Sequence, residues 1–264
     1  MKSDRLPPDG GAPAEAAEKP FLEHLEDLRR TAIKALLAYG CAAAVCFPLT
    51  LKGWIVDLLK RPLIRAAAGG PPAPLPTLSP GGGFAVAMRI SMEGAAVLSL
   101  PVLLFQIGGF VLPALTRRER ACFVPALACG AALFYAGMAF CYLTALPWAV
   151  QFFWNFNRFM GIENLWTINE YIFFATRTLI AFGLVFEFPL VVLLLVKIGV
   201  LNRRMLSGNR SYAIVLIFVL AAVLTPGPDA VTQCLMAAPL LLLYEACVWG
   251  AWLIERPRGA GAAG

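Results

Sequence analysis

The sequence is short of charged residues. Only 14% of its 264 residues are Asp, Glu, Lys or Arg, whereas 59% are hydrophobic. About a quarter of the residues of an ordinary soluble domain are charged. The apolar segments also recur along the chain too often for a single anchor. The composition therefore predicts an integral membrane protein that crosses the lipid bilayer several times.

The residues that usually build chemical sites are also scarce. The chain has one histidine, and its seven cysteines lie mostly within apolar runs without forming a Cys-x-x-Cys pair. This set cannot form a usual zinc site, and the sequence has no glycine-rich phosphate loop. We therefore expect no cofactor, no metal and no enzymatic activity. The net charge of +6 does not indicate nucleic acid, because basic loops are normal on one side of a membrane protein.

Six apolar segments are candidates for membrane helices, which need about 20 mostly apolar residues. We place the spans at about 31–51, 85–112, 121–147, 171–196, 211–225 and 231–254. The fifth span is short, which suggests locally thinned lipid or a recessed hairpin. The predicted fold is an all-α bundle over 21–254, with tails at 1–20 and 255–264 and an interfacial loop after Pro147.

The distribution of basic residues predicts the orientation. With a cytoplasmic N-terminus, fourteen lysines and arginines lie on the cytoplasmic side and five on the other side. Positive charge accumulates in the cytoplasmic loops of membrane proteins. Both termini are therefore expected in the cytoplasm, and the polar tail at 1–20 is expected to be disordered.

The stretch FLEHLEDLRR at 21–30 is the last polar segment before the first span. Its apolar residues recur at helical spacing, so one face is apolar and the other is charged. Such a helix lies along a membrane surface or against a partner.

One carboxylate lies where charge is costly. Glu187 falls within the fourth span, two residues before Pro189. A carboxylate at this depth costs a few kcal/mol on insertion scales, so it should face protein or water. It could contact a translocating peptide or carry a proton, or it could be a protonated acid bonded to a neighbouring helix.

Other polar residues of the spans have simpler interpretations. Gln233, near Thr225, could bond to another helix of this chain or to another chain. Arg89 and Glu93, four residues apart, suggest a structural ion pair at the membrane edge. Glu245 could extend to the cytoplasmic surface.

Several motifs, in order, resemble one family. They are HLEDLRR (24–30), RPLI (61–64), LFQIGGFVLPALTRRER (104–120), FYAGMAFCY (134–142), AFGLVFEFPL (181–190) and LTPGPDAVTQ (224–233). With six spans, this set resembles TatC, the core membrane subunit of the twin-arginine protein translocase. The resemblance extends over residues 21 to 254.

The resemblance implies a fold and a function. The fold would be a concave bundle shaped like a cupped hand, with both termini in the cytoplasm. The function would be to receive twin-arginine signal peptides and to export folded proteins across the cell membrane, driven by the proton-motive force. The partners would be single-span proteins like TatA and TatB, with further copies of this chain in a receptor complex.

The resemblance also assigns residues. Asp27 and Glu119 would bind the paired arginines of the signal peptide, together with Arg29, and Glu26 is the rival if the helix is turned by one position. Glu187 would be the intramembrane acid. Thr225 and Gln233 would mark where partner helices dock.

The sequence also departs from the family pattern and leaves an alternative function open. Asp27 stands where the family has glutamate, and Gly227 is an extra residue in the turn before the last span. The alternative is a proton-coupled secondary transporter with Glu187 as its coupling acid, although no internal repeat of that kind is evident.

Overall fold

The computed structural model describes residues 21–66, 75–111, 117–224 and 230–260. These residues form helices and no strand. In chain order the helices are α1 (Phe21–Leu51), α2 (Trp54–Ala66), α3 (Gly82–Val111), α4 (Arg117–Phe140), α5 (Leu146–Phe159), α6 (Ile168–Phe186), α7 (Phe188–Ile198), α8 (Arg203–Gly208), α9 (Arg210–Leu224) and α10 (Ala230–Ala260). The all-α prediction is confirmed.

Five stretches of the described residues are long and apolar enough to cross a membrane. They are Leu28–Leu51, Gly82–Gln106, Pro125–Phe159, Ile168–Ile198 and Ala230–Glu255. The sixth predicted span corresponds to α9, which has 15 residues and is only about 22 Å long at 1.5 Å per residue. The last helix continues past 254 to Ala260, so the predicted tail begins as helix.

α1 and α3 form one long pair. The Ser91 hydroxyl donates to the Thr50 hydroxyl at 3.3 Å, and Gly94 lies against the Cys46 side chain. The last turns of α1 therefore lie beside the first half of α3. Glycine at such a contact lets two helix backbones approach closely.

The chain stays helical where an interfacial loop was expected. A single π turn, Cys141–Ala145, joins α4 to α5, and both flanking residues keep helical dihedral angles. Pro147 lies in the first turn of α5, directly after the π turn, and its missing N–H does not end the helical path. The prediction that the helix ends at Pro147 was therefore wrong, and α5 continues to Phe159.

The fourth predicted span is two helices that meet at Glu187. α6 ends at Phe186 and α7 begins at Phe188, with Pro189 in its first turn. Proline removes a backbone N–H and clashes with the preceding turn, so a continuous helix is disrupted here. The sequence indicated a kink at this point, and the structure has a break of one residue.

α6 lies at the centre of the core. Ten of its residues are buried, and α3, α4 and α10 all contact it. α4 comes closest, because Gly137 lies on Phe182 and Phe186 while Gly183 lies on the ring of Phe134. Two glycines facing the neighbouring helix make this approach possible.

Two tyrosine hydroxyls donate hydrogen bonds to backbone carbonyls that prolines leave without an intrahelical donor. In α3, Pro101 has no N–H for the carbonyl of Val97, and the Tyr135 hydroxyl of α4 donates to that carbonyl at 3.0 Å. In α2, Pro62 has no N–H for the carbonyl of Leu58, and the hydroxyl of Tyr142 in the π turn donates to that carbonyl at 2.8 Å. An unbonded backbone carbonyl is costly in an apolar environment. The two hydroxyls therefore stabilise the proline-containing helices and link them to their neighbours.

Candidate functional site

The two candidate acids for arginine binding lie near the beginnings of their helices. Asp27 lies in the second turn of α1, and Glu119 is the third residue of α4. α3 and α4 are joined by only five residues, 112–116. The antiparallel pairing of α1 with α3 places the beginnings of α1 and α4 at the same end of the bundle. The side chains of Asp27 and Glu119 lie outside the described part of the structure.

Glu26 is paired within its own helix. One carboxylate oxygen lies 3.3 Å from Arg30 Nε, and the other lies 3.6 Å from Arg29 Nη1. All three side chains are well exposed. Exposed ion pairs of this kind contribute little and exchange readily with a competing partner. Glu26 is thus occupied in the free protein, as is Arg29.

Glu187 faces α4 from the break between α6 and α7. A Cβ atom added to Gly130 would lie 2.9 Å from Glu187 Oε2, so the carboxyl group packs directly on the α4 backbone. The other oxygen, Oε1, is buried and accepts no hydrogen bond within the described residues. Burial without a donor is unfavourable for a carboxyl oxygen. This oxygen is therefore poised for a donor that the described chain does not supply.

Two further buried side-chain oxygens also lack a hydrogen-bond donor within the described part of the chain. Glu93 Oε2 and Gln106 Oε1, both on α3, have no hydrogen-bond partner among the described residues. Sequence reasoning did not select Gln106, although an amide inside an apolar helix was a usable signal.

The expected pair of Arg89 with Glu93 does not form. The Arg89 guanidinium lies over the ring of Phe173 of α6, 4.7 Å from its centroid. Glu93 instead borders a cavity of about 370 Å³ lined mainly by apolar side chains of α2, α3, α6 and the end of α4. The face of an aromatic ring attracts a cation. The packing of α3 on α6, which the sequence does not show, brings the Arg89 guanidinium to this ring.

The amide of Gln233 bonds within the chain. Its Nε2 donates to the carbonyl of Phe218 of α9 at 3.0 Å. Of the two alternatives, the structure has the intrachain bond, and Gln233 links α10 to α9. Thr225, the other residue of the predicted docking patch, lies outside the described residues.

Glu245 is about half exposed and pairs with an arginine of another helix. Its Oε2 lies 3.0 Å from Arg210 Nη2 at the beginning of α9. Since 35 residues separate the two in sequence, spacing could not predict this pair.

Comparison with known proteins gives a consistent family match. The family model described as Sec-independent protein translocase protein (TatC) matches residues 23–239. A protein of that name from Desulforapulum autotrophicum is 35% identical over 237 residues, which cover 90% of this chain and 86% of that protein. The one from Aquifex aeolicus is 34% identical, covering 90% and 97%. The one from Akkermansia muciniphila is 44% identical over 69% of this chain, and the match spans about half (52%) of that longer relative.

A solved structure has the same fold. The crystal structure of a twin-arginine translocase receptor, TatC, superimposes with a TM-score of 0.74 at 32% identity. The superposition covers 88% of this chain and 99% of the other. The similarity thus extends over nearly the whole of that protein.

Proposed function

The chain belongs to the TatC family, and on that premise we propose that it is the signal-peptide receptor and core subunit of a twin-arginine translocase. The proposal is supported chiefly by the match over residues 23–239 together with the fold similarity. In this role the protein exports folded proteins across the membrane with the proton-motive force, and it catalyses no covalent chemistry. The comparisons give no support to a proton-coupled solute transporter.

Arginine recognition is the chemical basis of the proposal. A guanidinium group forms a rigid fork that pairs with a carboxylate through two parallel hydrogen bonds. Asp27 and Glu119 come from helix beginnings at one end of the bundle, so that end can offer one carboxylate to each arginine of a signal peptide. The common end of α1 and α4 supports this assignment.

Glu26 and Arg29 have a secondary role in this proposal. Their ion pair, with Arg30 as a third member, keeps Glu26 occupied until a peptide arginine competes for it. Arg117, Arg118 and Arg120 flank Glu119, and they serve orientation and contact with anionic lipid.

The membrane-embedded polar residues have separate roles in the proposal. Glu187, with its unbonded oxygen, supplies a polar contact at the α6–α7 break for a translocating peptide. The α9–α10 region that contains Thr225 and Gln233 is where single-span proteins like TatA and TatB dock. Several copies of the chain assemble in the receptor complex.

The protein lies in the plasma (inner) membrane in this proposal, with both termini in the cytoplasm. The excess of positive charge on that side supports the orientation. The arginine-binding end of the bundle then faces the compartment in which signal peptides are made.

Cross-linking to a signal peptide tests the proposal. A peptide with a photoreactive residue just after its two arginines is irradiated with membranes that contain the protein. We expect Asp27→Asn and Glu119→Gln each to lower the cross-linked yield by about tenfold or more, because each removes one charge-assisted contact. Glu163→Gln, which changes an exposed carboxylate between α5 and α6, is the control and should retain the full yield.

A peptide with two lysines in place of the arginines provides the second control. A lysine cannot form the bidentate pair, so its yield with the unchanged protein should also be low. Full cross-linking of Asp27→Asn and Glu119→Gln would overturn the assignment of the carboxylates. A thermal unfolding curve for each variant separates loss of binding from loss of folding.

A further inference from the structure

A cleft at the end of the bundle that carries α8 combines basic and aromatic side chains. It has a volume of about 310 Å³ and is lined by Arg203, Arg210, Val248, Trp249 and Trp252. The 370 Å³ cavity near Glu93 is almost wholly apolar by contrast. Two guanidinium groups beside two indole rings indicate a ligand that is both anionic and amphipathic.

The walls of the cleft are held by specific bonds. The Tyr244 hydroxyl of α10 donates to the carbonyl of Leu206 in α8 at 2.6 Å. The backbone N–H of Arg203 donates to Glu255 Oε1 at 2.8 Å. These two bonds attach α8 to α10 on either side of the cleft, so the cleft is a fixed feature of the fold.

The charges in the cleft favour an anion. Arg210 pairs with Glu245 at 3.0 Å, and about half of each side chain remains exposed. Arg203 is exposed, and its guanidinium has no ion-pair partner among the described residues. Glu255 is bonded to the backbone rather than to a guanidinium. The Arg203 guanidinium therefore keeps its donors, although the Glu255 carboxylate lies beside the Arg203 backbone, and Arg210 still has donors available beside its partner.

An apolar stripe leads away from the cleft along α10. Leu242, Ala246, Trp249 and Leu253 recur at intervals of three and four residues and are all exposed, so they share one helix face. Trp249, which is 68% exposed, belongs to both the cleft and the stripe. Tryptophan is enriched at the level where a membrane meets water. The cleft thus lies where a lipid headgroup would be, and the stripe where its acyl chains would be.

We propose that this cleft binds an anionic phospholipid, with the phosphate group between Arg203 and Arg210 and the acyl chains along the α10 stripe. Arginine pairs well with phosphate because its planar fork matches two phosphate oxygens. Basic pockets between membrane helices are suited to anionic headgroups. Residues of α8, α9 and α10 form this site, whereas the proposed signal-peptide site lies at the beginnings of α1 and α4, so the two sites are distinct.

Native mass spectrometry of the full chain tests the proposal. The protein is purified in mild detergent and mixed with phosphatidylglycerol, cardiolipin or phosphatidylcholine, and the retained lipid is counted. We expect preferential retention of the two anionic lipids. Arg203→Gln should lower that retention by about fivefold, the effect of one basic residue near an anionic surface.

Three comparisons make the result decisive. Arg204→Gln removes the same charge from the neighbouring residue, which does not line the cleft, and it should retain the lipid. Trp249→Leu should weaken binding of the anionic lipids, while Trp148→Leu, an exposed tryptophan on α5, should not. Inorganic phosphate at the same concentration should not displace the lipid.

Several outcomes would overturn the proposal. Equal losses in Arg203→Gln and Arg204→Gln would indicate diffuse attraction by surface charge. Equal retention of phosphatidylcholine would indicate that the site only holds acyl chains. Displacement by inorganic phosphate would indicate a site for free phosphate, and capture of an acidic protein segment with no lipid retained would indicate a protein partner.

Discussion

At the scale of single residues, glycines set how closely the helices of this bundle approach. A Cβ atom on Gly137 would lie 2.6 Å from Phe186 Cγ and 2.8 Å from the backbone oxygen of Phe182. A ring can turn away, but the backbone of α6 cannot shift without moving its other contacts. Among the described glycines, Gly137 is therefore one with very little room for an added methyl group, and it is the one that meets backbone as well as a ring.

Gly137→Ala should destabilise the protein by about 1–3 kcal/mol, the usual cost of overpacking. The free energy of unfolding in mixed micelles, followed by tryptophan fluorescence, measures the loss. Gly40→Ala is the matched control, because nothing lies within 4 Å of a Cβ atom at Gly40. The control should be neutral or slightly stabilising, since alanine favours helix over glycine. Equal effects of the two substitutions would contradict the packing argument.

The sequence identified which residues of the site are unusual but not what they touch. Glu187 was identifiable because a carboxylate stands in an apolar run. Its contact with Gly130 depends on how α4 and α7 pack, and spacing does not encode that. Arg89 illustrates the same limit, because its expected partner lies one turn away, yet its guanidinium lies over Phe173 of another helix.

At the scale of helices, prolines and tyrosines act in pairs. Pro101 leaves the carbonyl of Val97 without its intrahelical donor, and Tyr135 supplies another from α4. The free carbonyl and the hydrogen bond that links α3 to α4 are thus two consequences of one residue. The same arrangement recurs between Pro62 of α2 and Tyr142.

A double-mutant cycle tests the pairing of Pro101 with Tyr135. Tyr135→Phe should cost about 1 kcal/mol, because it leaves the Val97 carbonyl unbonded. In a Pro101→Ala background, residue 101 again has an N–H for Val97, so the same change should cost much less. The free energy of unfolding of the four proteins gives the coupling energy. An equal cost in both backgrounds would show that the tyrosine does not replace the missing donor.

Helix existence was predictable from the sequence, whereas helix interruptions were only partly so. Long apolar runs of suitable length gave all six predicted spans, including the short fifth one. Pro147 misled the prediction, because proline usually interrupts a helix but here follows a π turn through which the chain stays helical. The sequence pattern did not indicate the π turn at Cys141–Ala145, in which Tyr142 bonds to α2.

At the scale of the whole molecule, the bundle has unequal thickness. α9 is about 22 Å long, whereas its neighbour α10 has 31 residues, and a typical hydrocarbon core is about 30 Å thick. The membrane must thin beside α9, or α9 must lie recessed among its neighbours. The Arg210–Glu245 pair fixes the beginning of α9 half-way along α10, so the short side belongs to the fold itself.

The orientation of the bundle is the last whole-molecule prediction. In a variant without native cysteines, a cysteine replacing Leu78, which is 85% exposed between α2 and α3, should react with a membrane-impermeant maleimide added to intact cells. A cysteine replacing Asn209, between α8 and α9, should react only after the membrane is permeabilised. Three membrane-spanning stretches lie between these two positions, and an odd number places them on opposite sides of the membrane. The excess of basic residues near Asn209 predicts that its side is cytoplasmic. The reverse labelling pattern would place Asp27 and Glu119 outside the cell, where newly made signal peptides cannot reach them.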